Sequence, residues 1–243
     1  MLSAKKGQLE ALLITLLTLV FGFTGCAAPE LQETPGPAEV ATPAPEPLKL
    51  PDPRLRSDVS LEETLLERRS VREYADEALT LEEVSQLLWA AQGITAEWGG
   101  RTAPSAGGLY PLELYVAAGN VKELAPGVYK YEPEGHELTK VRDDDVRAQL
   151  AEAALGQKWV KEGAIDIVIA AVYQRTTKKY GDRGVRYVHM EAGHAAQNIY
   201  LQAIALDLGM VTVGAFYDEE VRTIVGMPEN EAPLYVISVG RKT

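Results

Sequence analysis

The sequence predicts an α+β domain, with a sheet in the middle and helices around it. Two observations lead to this class. Capped helical segments and short strand-forming runs follow one another without a regular strand–helix–strand rhythm. The region from about 58 to 243 holds roughly 186 residues, which suits one domain with a sizeable core.

Polar residues in capping-box spacing open the first two predicted helices. Ser60 with Glu63 predicts a helix over about 61–69, and Thr80 with Glu83 predicts the next helix. Two shorter helices are predicted in DDDVRAQLAEAAL, which starts with acidic residues, and in DEEVRTIVGM. The longest helix is predicted over about 185–208 and ends at Gly209. Its buried stripe consists of Val188, Ala192, Ala195, Ile199 and Ala203.

Six runs rich in strand-forming residues supply the predicted sheet. The first two are bounded by Gly and Pro, and the third could pair with the second. The fourth is a continuous apolar run, as expected for a strand buried on both faces. In chain order the runs are LELYVAA, GVYKYEP, HELTKV, AIDIVIAAVY, MVTVGAFY and APLYVISVG.

Residues 1–26 have the pattern of an export signal. Lys5 and Lys6 precede an apolar run of 13 residues, which is shorter than the roughly 20 residues that span a bilayer. The ending FTGC resembles a bacterial lipoprotein box, which predicts lipidation of Cys26. The alternative is an uncleaved anchor helix. Both interpretations predict an exported domain tethered to a membrane.

Residues 27–57 are predicted to be a linker because they contain eight of the 14 prolines, with Ala and Glu between them. The alternative is an ordered arm that packs on the domain. The formal net charge of −11 argues against nucleic acid as a partner. Cys26 is the only cysteine, so a disulfide within one chain is excluded.

Four short segments are candidates for a binding site. Arg68–Arg72, in RRSVR, could hold a phosphate, because Arg offers a fixed fork of donors and Ser a hydroxyl. The alternative is that these cations stabilise a helix C-terminus. Ser105, Gly107 and Gly108 could present backbone N–H groups to a flat polar ligand. The strand end TVGAFY is similarly open.

The segment MEAGHAAQN carries polar side chains but does not predict a metal site. Glu191 and His194 share a helix face, whereas His189 lies about 140° away from His194 around the helix. Packing and hydrogen bonding explain these residues better. Neither a Ser-His-Asp order nor a Walker-type phosphate loop is present.

Taken together, these segments resemble the nitroreductase fold over about residues 58–243. They are most similar to its branch of SagB- and thiazoline-oxidase-type dehydrogenases. The resemblance rests on RRSVREY, APSAGGLYPLELYV, EAGHAAQNIYLQA and VGAFYDEEVRTIVGMPENEAPLYVISVGR, in that order. It implies a three-layer fold with a central, mostly antiparallel sheet, an intertwined homodimer, and FMN bound at the dimer interface.

The resemblance also implies a role for each matching residue. The phosphate, the ribityl chain and the pyrimidine edge of FMN would be held by Arg68, Arg69, Ser70 and Arg72. The flavin ring would lie along Ser105, Ala106, Gly107 and Gly108 of the other subunit. The ring would also face Val213, Gly214 and Ala215 near its N5 atom. Arg241 would close on the phosphate.

The expected reaction is hydride transfer through the flavin, to or from a small organic or peptide-derived substrate. Tyr110 is the candidate side chain on the substrate side, as a proton donor or a ring wall; the alternative is simple packing. Gly108 and Gly214 replace the Asn and the acidic residue of many nitroreductases, which favours the SagB-like branch. The electron donor is either NAD(P)H or a membrane or exported donor. The alternative function is a catalytically inactive lipoprotein that binds flavin or another flat ligand.

Overall fold

The computed structural model describes residues 46–243, which form an eight-stranded sheet between two layers of helices. The order of strands is β1-β5-β4-β3-β6-β8-β2, with β7 also paired to β8, and every strand pair is antiparallel. The strands are β1 (Leu48–Lys49), β2 (Tyr74–Ala75), β3 (Leu112–Ala118), β4 (Gly127–Glu132), β5 (Glu137–Arg142), β6 (Ile165–Ala171), β7 (Leu208–Val213) and β8 (Ala232–Lys242). The predicted α+β class is confirmed.

Within residues 46–243, seven α-helices pack around the sheet. They are α1 (Leu61–Glu67), α2 (Leu81–Gln92), α3 (Arg147–Ala153), α4 (Lys158–Glu162), α5 (Tyr173–Tyr180), α6 (Arg183–Ala205) and α7 (Asp218–Val225). Alternate residues of β3 point to opposite faces. Leu114 packs with residues of α2 and α6, whereas Tyr115 packs with residues of α3, α4 and α7. The sheet is therefore the middle of three layers.

The end of the long helix differs from its prediction. Helix α6 ends at Ala205, and Asp207 turns the chain with a φ of +56°. Gly209 therefore lies inside β7 and does not end the helix. The apolar run AIDIVIAAVY also stops being a strand at Ala171, and Tyr173 begins α5, which the pattern did not predict.

The described part of the predicted linker lies on the domain as an ordered arm. Strand β1 pairs with β5, and the Leu50 amide donates to the His136 carbonyl at 3.1 Å. Leu50 is buried, and the Pro51 carbonyl accepts a hydrogen bond from Ser85 Oγ at 2.6 Å. Backbone pairing and one buried side chain hold residues 48–51 on the domain, which corresponds to the alternative of an ordered arm.

The predicted signal segment, Cys26 and the rest of the linker up to residue 45 lie outside the described residues. Among helices within 46–243, none combines the length and the apolar character needed to cross a membrane.

Candidate functional site

The segment RRSVR runs beside the edge strand β7. The Val71 amide donates to the Met210 carbonyl at 2.9 Å. The side chain of Val71 occupies the space above Gly209, where an added Cβ would lie 2.7 Å from Val71 Cγ1. The absence of a side chain at Gly209 thus lets the arginine segment approach the strand closely.

A hydroxyl cluster joins the arginine segment to the middle of β7. Tyr200 Oη of α6 lies 3.1 Å from Ser70 Oγ and 3.5 Å from Thr212 Oγ1, and it accepts a hydrogen bond from the Thr212 amide at 3.2 Å. The Arg68 guanidinium lies 5.1 Å from the centre of the Tyr200 ring. Burial raises the pKa of the Tyr200 hydroxyl, but hydrogen bonds with Ser70 and Thr212 and the Arg68 charge outweigh it, so the net shift is downward.

The start of α4 contacts both the arginine segment and the open end of β7. The Arg72 guanidinium lies 5.3 Å from the ring centre of Trp159, and Gln157 Nε2 donates to the Ala215 carbonyl at 3.1 Å. Val213 is buried, whereas Gly214 and Ala215 are exposed. The structure therefore links Ser70 to Thr212 through Tyr200 on the α6 side of the sheet, and places Arg72 over Trp159 on the α4 side.

Two predicted phosphate-binding residues have other contacts. Arg69 Nη1 donates to the carbonyls of Leu66 and Arg68, at 3.1 and 2.7 Å, which matches the alternative role of stabilising the end of α1. Arg241 holds both oxygens of Glu83, at 2.8 and 2.9 Å. Its fork of donors is used by this ion pair, so a phosphate contact from Arg241 requires a rearrangement of that pair.

The loop 104–110 is fixed by a chain of hydrogen bonds to α6. Ser105 Oγ donates to Glu191 Oε2 at 2.6 Å and accepts from the Tyr110 amide at 2.9 Å. Gly107 and Gly108 adopt φ values of +67° and +66°, which side chains disfavour. A Cβ on Gly108 would meet no atom within 4 Å, so its backbone is open to a ligand.

Tyr110 is held by its neighbours on the far side of this loop. Its hydroxyl accepts a hydrogen bond from the Arg101 amide at 3.2 Å, and the Arg101 guanidinium lies 4.6 Å from its ring centre. Its carbonyl accepts from Arg175 at 3.0 Å. Tyr110 lines a cleft of about 340 Å³ that contains none of residues 68–72. A proton-donating role for Tyr110 stays a prediction.

Within one chain, the loop and the arginine segment contact α6 at different places. Their contacts, Glu191 and Tyr200, are nine residues apart. This spacing corresponds to about 14 Å along the helix and about 180° around it. One chain therefore does not place loop 104–110 on the ligand that Arg68 and Ser70 would hold.

Sequence reasoning did not assign Tyr200 or Trp159 to a site and treated Glu191 as a packing residue. Burial raises the pKa of Glu191 to about 7, with opposing contributions from the Ser105 hydrogen bond and the Arg101 charge. A charged residue on the buried face of α6 was the available signal, since such groups are rarely buried without a partner. Among residues 46–243, no three His, Cys, Asp or Glu side chains lie close enough to hold a metal ion.

The fold and this cluster define an α+β protein with arginine and hydroxyl donors at an open strand end. A model of the nitroreductase family matches residues 65–241. A protein of Methanocaldococcus jannaschii that is named a nitroreductase is 51% identical over 195 residues, covering 80% of this chain and 96% of that protein. The chain belongs to the nitroreductase family, whose members are flavin-dependent oxidoreductases.

Two further relatives agree with this assignment. A nitroreductase structure from Ralstonia eutropha JMP134 has a TM-score of 0.72 at 32% identity, covering 81% of this chain and 90% of that one. The trifolitoxin operon protein TfxC of Rhizobium leguminosarum bv. trifolii is 26% identical over 192 residues. That match covers 72% of this chain and 54% of TfxC.

The residues present fit an anionic, flat cofactor. None of the ion pairs within residues 46–243 involves Arg68 or Arg72. The buried Trp159 Nε1 has no acceptor within the same residues. A Cβ on Gly214 would meet only the Tyr235 ring, at 3.7 Å, so a ring could lie against this strand end. These free donors and this open backbone suit a flavin phosphate and a flavin ring.

Proposed function

We propose that this protein is an FMN-dependent oxidoreductase that transfers hydride to or from a small organic or peptide-derived substrate. The observation that supports it most strongly is the position of the arginine segment beside β7, where Ser70 is linked to Thr212 through the Tyr200 hydroxyl. When bound there, FMN supplies hydride exchange at its N5 atom. The side chains of this site bind and orient the cofactor, and the cofactor supplies the redox chemistry.

Each group at the cluster has a defined task in this proposal. The Arg68 guanidinium and Ser70 Oγ bind the phosphate and the ribityl chain, because charge-assisted hydrogen bonds to phosphate are strong. Arg72, held over Trp159, donates to the pyrimidine edge. Tyr200 keeps Ser70 and Thr212 in fixed positions through its hydroxyl. The exposed backbone at Gly214 faces the ring without a side chain between them.

We further propose that the site is completed by a second copy of the chain. The separation of loop 104–110 from the arginine segment along α6 supports this proposal. The exposed face of α6 offers a surface for the partner, because Val185 and Met190 are 38% and 53% exposed and Gly193 leaves room for close approach. In the homodimer, Ser105–Gly108 of one subunit would lie along the flavin that the other subunit holds.

The substrate class follows from the branch that the sequence resembles. Gly108 and Gly214 give an open backbone where many nitroreductases carry an Asn and an acidic residue. The match to the trifolitoxin operon protein TfxC is consistent with a SagB-type dehydrogenase. We therefore favour an organic or peptide-derived substrate over a nitro compound.

Turnover tests this function. The full-length protein, loaded with FMN and reduced by dithionite, should be reoxidised by a quinone or an organic acceptor faster than by dissolved oxygen. The absorbance of oxidised flavin follows the reaction, and free FMN at the same concentration is the control. If reoxidation never exceeds the rate with oxygen, the inactive flavin-binding protein is the better account.

We infer from residues 1–26 that the protein is exported and tethered to a membrane, with a membrane or exported donor in place of NAD(P)H. The composition of this segment is the support for this proposal. The Cys26→Ala variant should move from the membrane fraction to the soluble fraction. An unchanged membrane fraction would exclude the lipid anchor and leave the uncleaved anchor helix.

A further inference from the structure

The carboxyl of Glu191 is buried at the base of the loop that is expected to contact the flavin. The residue is 2% exposed. One of its oxygens, Oε2, accepts the hydrogen bond from Ser105 Oγ at 2.6 Å, and the other, Oε1, has no partner among residues 46–243. A distance of 2.6 Å falls in the range of charge-assisted O–H···O bonds. Among residues 46–243, the buried carboxyl therefore makes a single hydrogen bond, and it makes that bond with the loop.

The hydrogen bond from Ser105 continues into the backbone of the loop. Because Ser105 Oγ donates its hydrogen bond to Glu191, its lone pairs are free to accept from the Tyr110 amide at 2.9 Å. The residues between Ser105 and Tyr110 include Gly107 and Gly108 with positive φ, and Tyr110 itself has a φ of +43°. Such a strained backbone persists only where its surroundings over-determine it. The Glu191–Ser105–Tyr110 chain is a contact of this kind.

Several charged or titratable groups surround Glu191. Arg101, which precedes the loop, partly opposes the rise in the Glu191 pKa. Tyr187 and His194 of α6 line a cleft of about 250 Å³ with Glu191 and Ser105. From α5, Tyr180 Oη and Lys179 Nζ lie 2.6 and 2.9 Å from where a Cβ on Gly107 would be. Among these groups, only Glu191 bonds to the loop through Ser105.

We propose that Glu191 is a positioning residue for the flavin-facing loop. It holds Ser105, and through Ser105 the Tyr110 amide, so that Gly108 keeps its backbone open toward the cofactor of the partner subunit. This role rests on the proposed function, since it concerns the same loop. Ionised Glu191 accepts a stronger hydrogen bond from Ser105 than neutral Glu191 does, so the loop is held more firmly when the carboxyl is charged.

Amide hydrogen exchange tests the proposal without FMN. Exchange at the Tyr110 amide is measured in the full-length protein between about pH 5.5 and 8.5, around the Glu191 pKa of about 7. After correction for intrinsic rates, protection of this amide should rise about tenfold through that range in the wild type, the difference between charged and neutral hydrogen bonds. Glu191→Gln should abolish the rise, and Ser105→Ala should lower protection at every pH.

His194→Gln is the matched control. His194 is a titratable residue of α6 that lines the same cleft as Glu191. This variant should keep the rise. A rise that persists in Glu191→Gln, or that disappears in His194→Gln alone, would overturn the role of Glu191. Unchanged protection in Ser105→Ala would do the same.

A titration with FMN over the same pH series separates this inference from the proposed function. If FMN binds at no pH while the Tyr110 amide still shows the rise, the flavin function fails and the role of Glu191 in the loop stands. If FMN binds and the rise is absent, the inference fails and the function stands.

Discussion

Replacement of Arg68 and Arg72 by Ala in one variant is expected to weaken FMN binding by about 10²–10⁴-fold. Each guanidinium is expected to make a charge-assisted contact to the flavin, worth about 1.5–3 kcal/mol, and every 1.4 kcal/mol corresponds to about tenfold. In the free protein each lies over an aromatic ring, a contact worth only about 0.5–1 kcal/mol when exposed. The variant should therefore stay folded, and flavin titration measures the loss.

A double variant of Lys122→Ala and Lys140→Ala is the control for charge. It removes two cations, the cation–π contact of Lys140 with Tyr129 and the ion pair of Lys140 with Asp143. Lys140 lies on β5, far from β7 in the order of strands. FMN affinity should be unchanged in this control. Equal affinity in the arginine variant would exclude the phosphate assignment.

The arginine variant also tests whether two subunits build one site. A chain with Gly108→Val has an intact arginine segment and a blocked loop, and neither variant alone should bind FMN tightly. Mixed dimers should regain binding at one of their two sites, because one pairing joins an intact loop with intact arginines. Mixtures that bind no more FMN than the separate variants would argue for a site within one chain.

Replacement of Asp166 by Asn is expected to stabilise the protein, and increasingly so as the pH rises. Asp166 lies in β6 with no exposed surface, and both its oxygens lack a partner among residues 46–243. Ser238, which faces it on β8, donates instead to the Trp159 carbonyl at 2.6 Å. Burial raises the pKa of Asp166 well above its usual value, although the nearby charge of Arg147 partly opposes this.

The direction of this change in stability with pH follows from proton binding. Above the unfolded pKa of about 4, the folded state keeps a proton on Asp166 that the unfolded state has lost. The free energy of unfolding of the wild type therefore falls by about 1.4 kcal/mol per pH unit from this group, until the folded pKa is reached. Asn does not titrate, so the advantage of the variant should grow from about pH 4 upward.

Urea unfolding between pH 4 and pH 8 measures this difference. Asp58→Asn, the same change at an exposed position, should show no such growth with pH. If Asp166→Asn changes the free energy of unfolding by the same amount at every pH, then Asp166 is ionised in the folded protein and the argument from burial fails.

The sequence predicted much of the fold because local signals and tertiary packing agree. The capping box of Thr80 and Glu83 forms as its spacing predicts, with both reciprocal hydrogen bonds. The prediction for Gly209 is wrong. A glycine after a helical pattern often ends the helix, whereas here the missing side chain of Gly209 leaves room for Val71. Helix α5 follows β6 after a single residue, and its first residue, Tyr173, continues the apolar run without a local stop signal.

The parts of the candidate site that lie within short segments of the chain could be predicted from the sequence. RRSVR is predicted as a segment rich in donors and TVGAFY as an open strand end, and β7 contacts the first and contains the start of the second. The sequence does not assign Tyr200, Trp159 or Glu191 to a site. Each lies far along the chain from the residues it contacts, so its role follows only from the folded structure. Arg69 and Arg241 show the converse. Their donors already bind groups of the same chain, a backbone carbonyl and the Glu83 carboxylate, and the sequence pattern does not reveal these contacts.

The central claim is that this chain holds FMN at the arginine segment and the open end of β7. It is tested most directly by adding FMN to the purified full-length protein, removing unbound flavin and recording the visible spectrum. A bound flavin spectrum that the Arg68→Ala, Arg72→Ala variant loses and the lysine control keeps is the predicted result. A wild-type protein that retains no flavin, or an arginine variant that retains as much as the wild type, would contradict the claim.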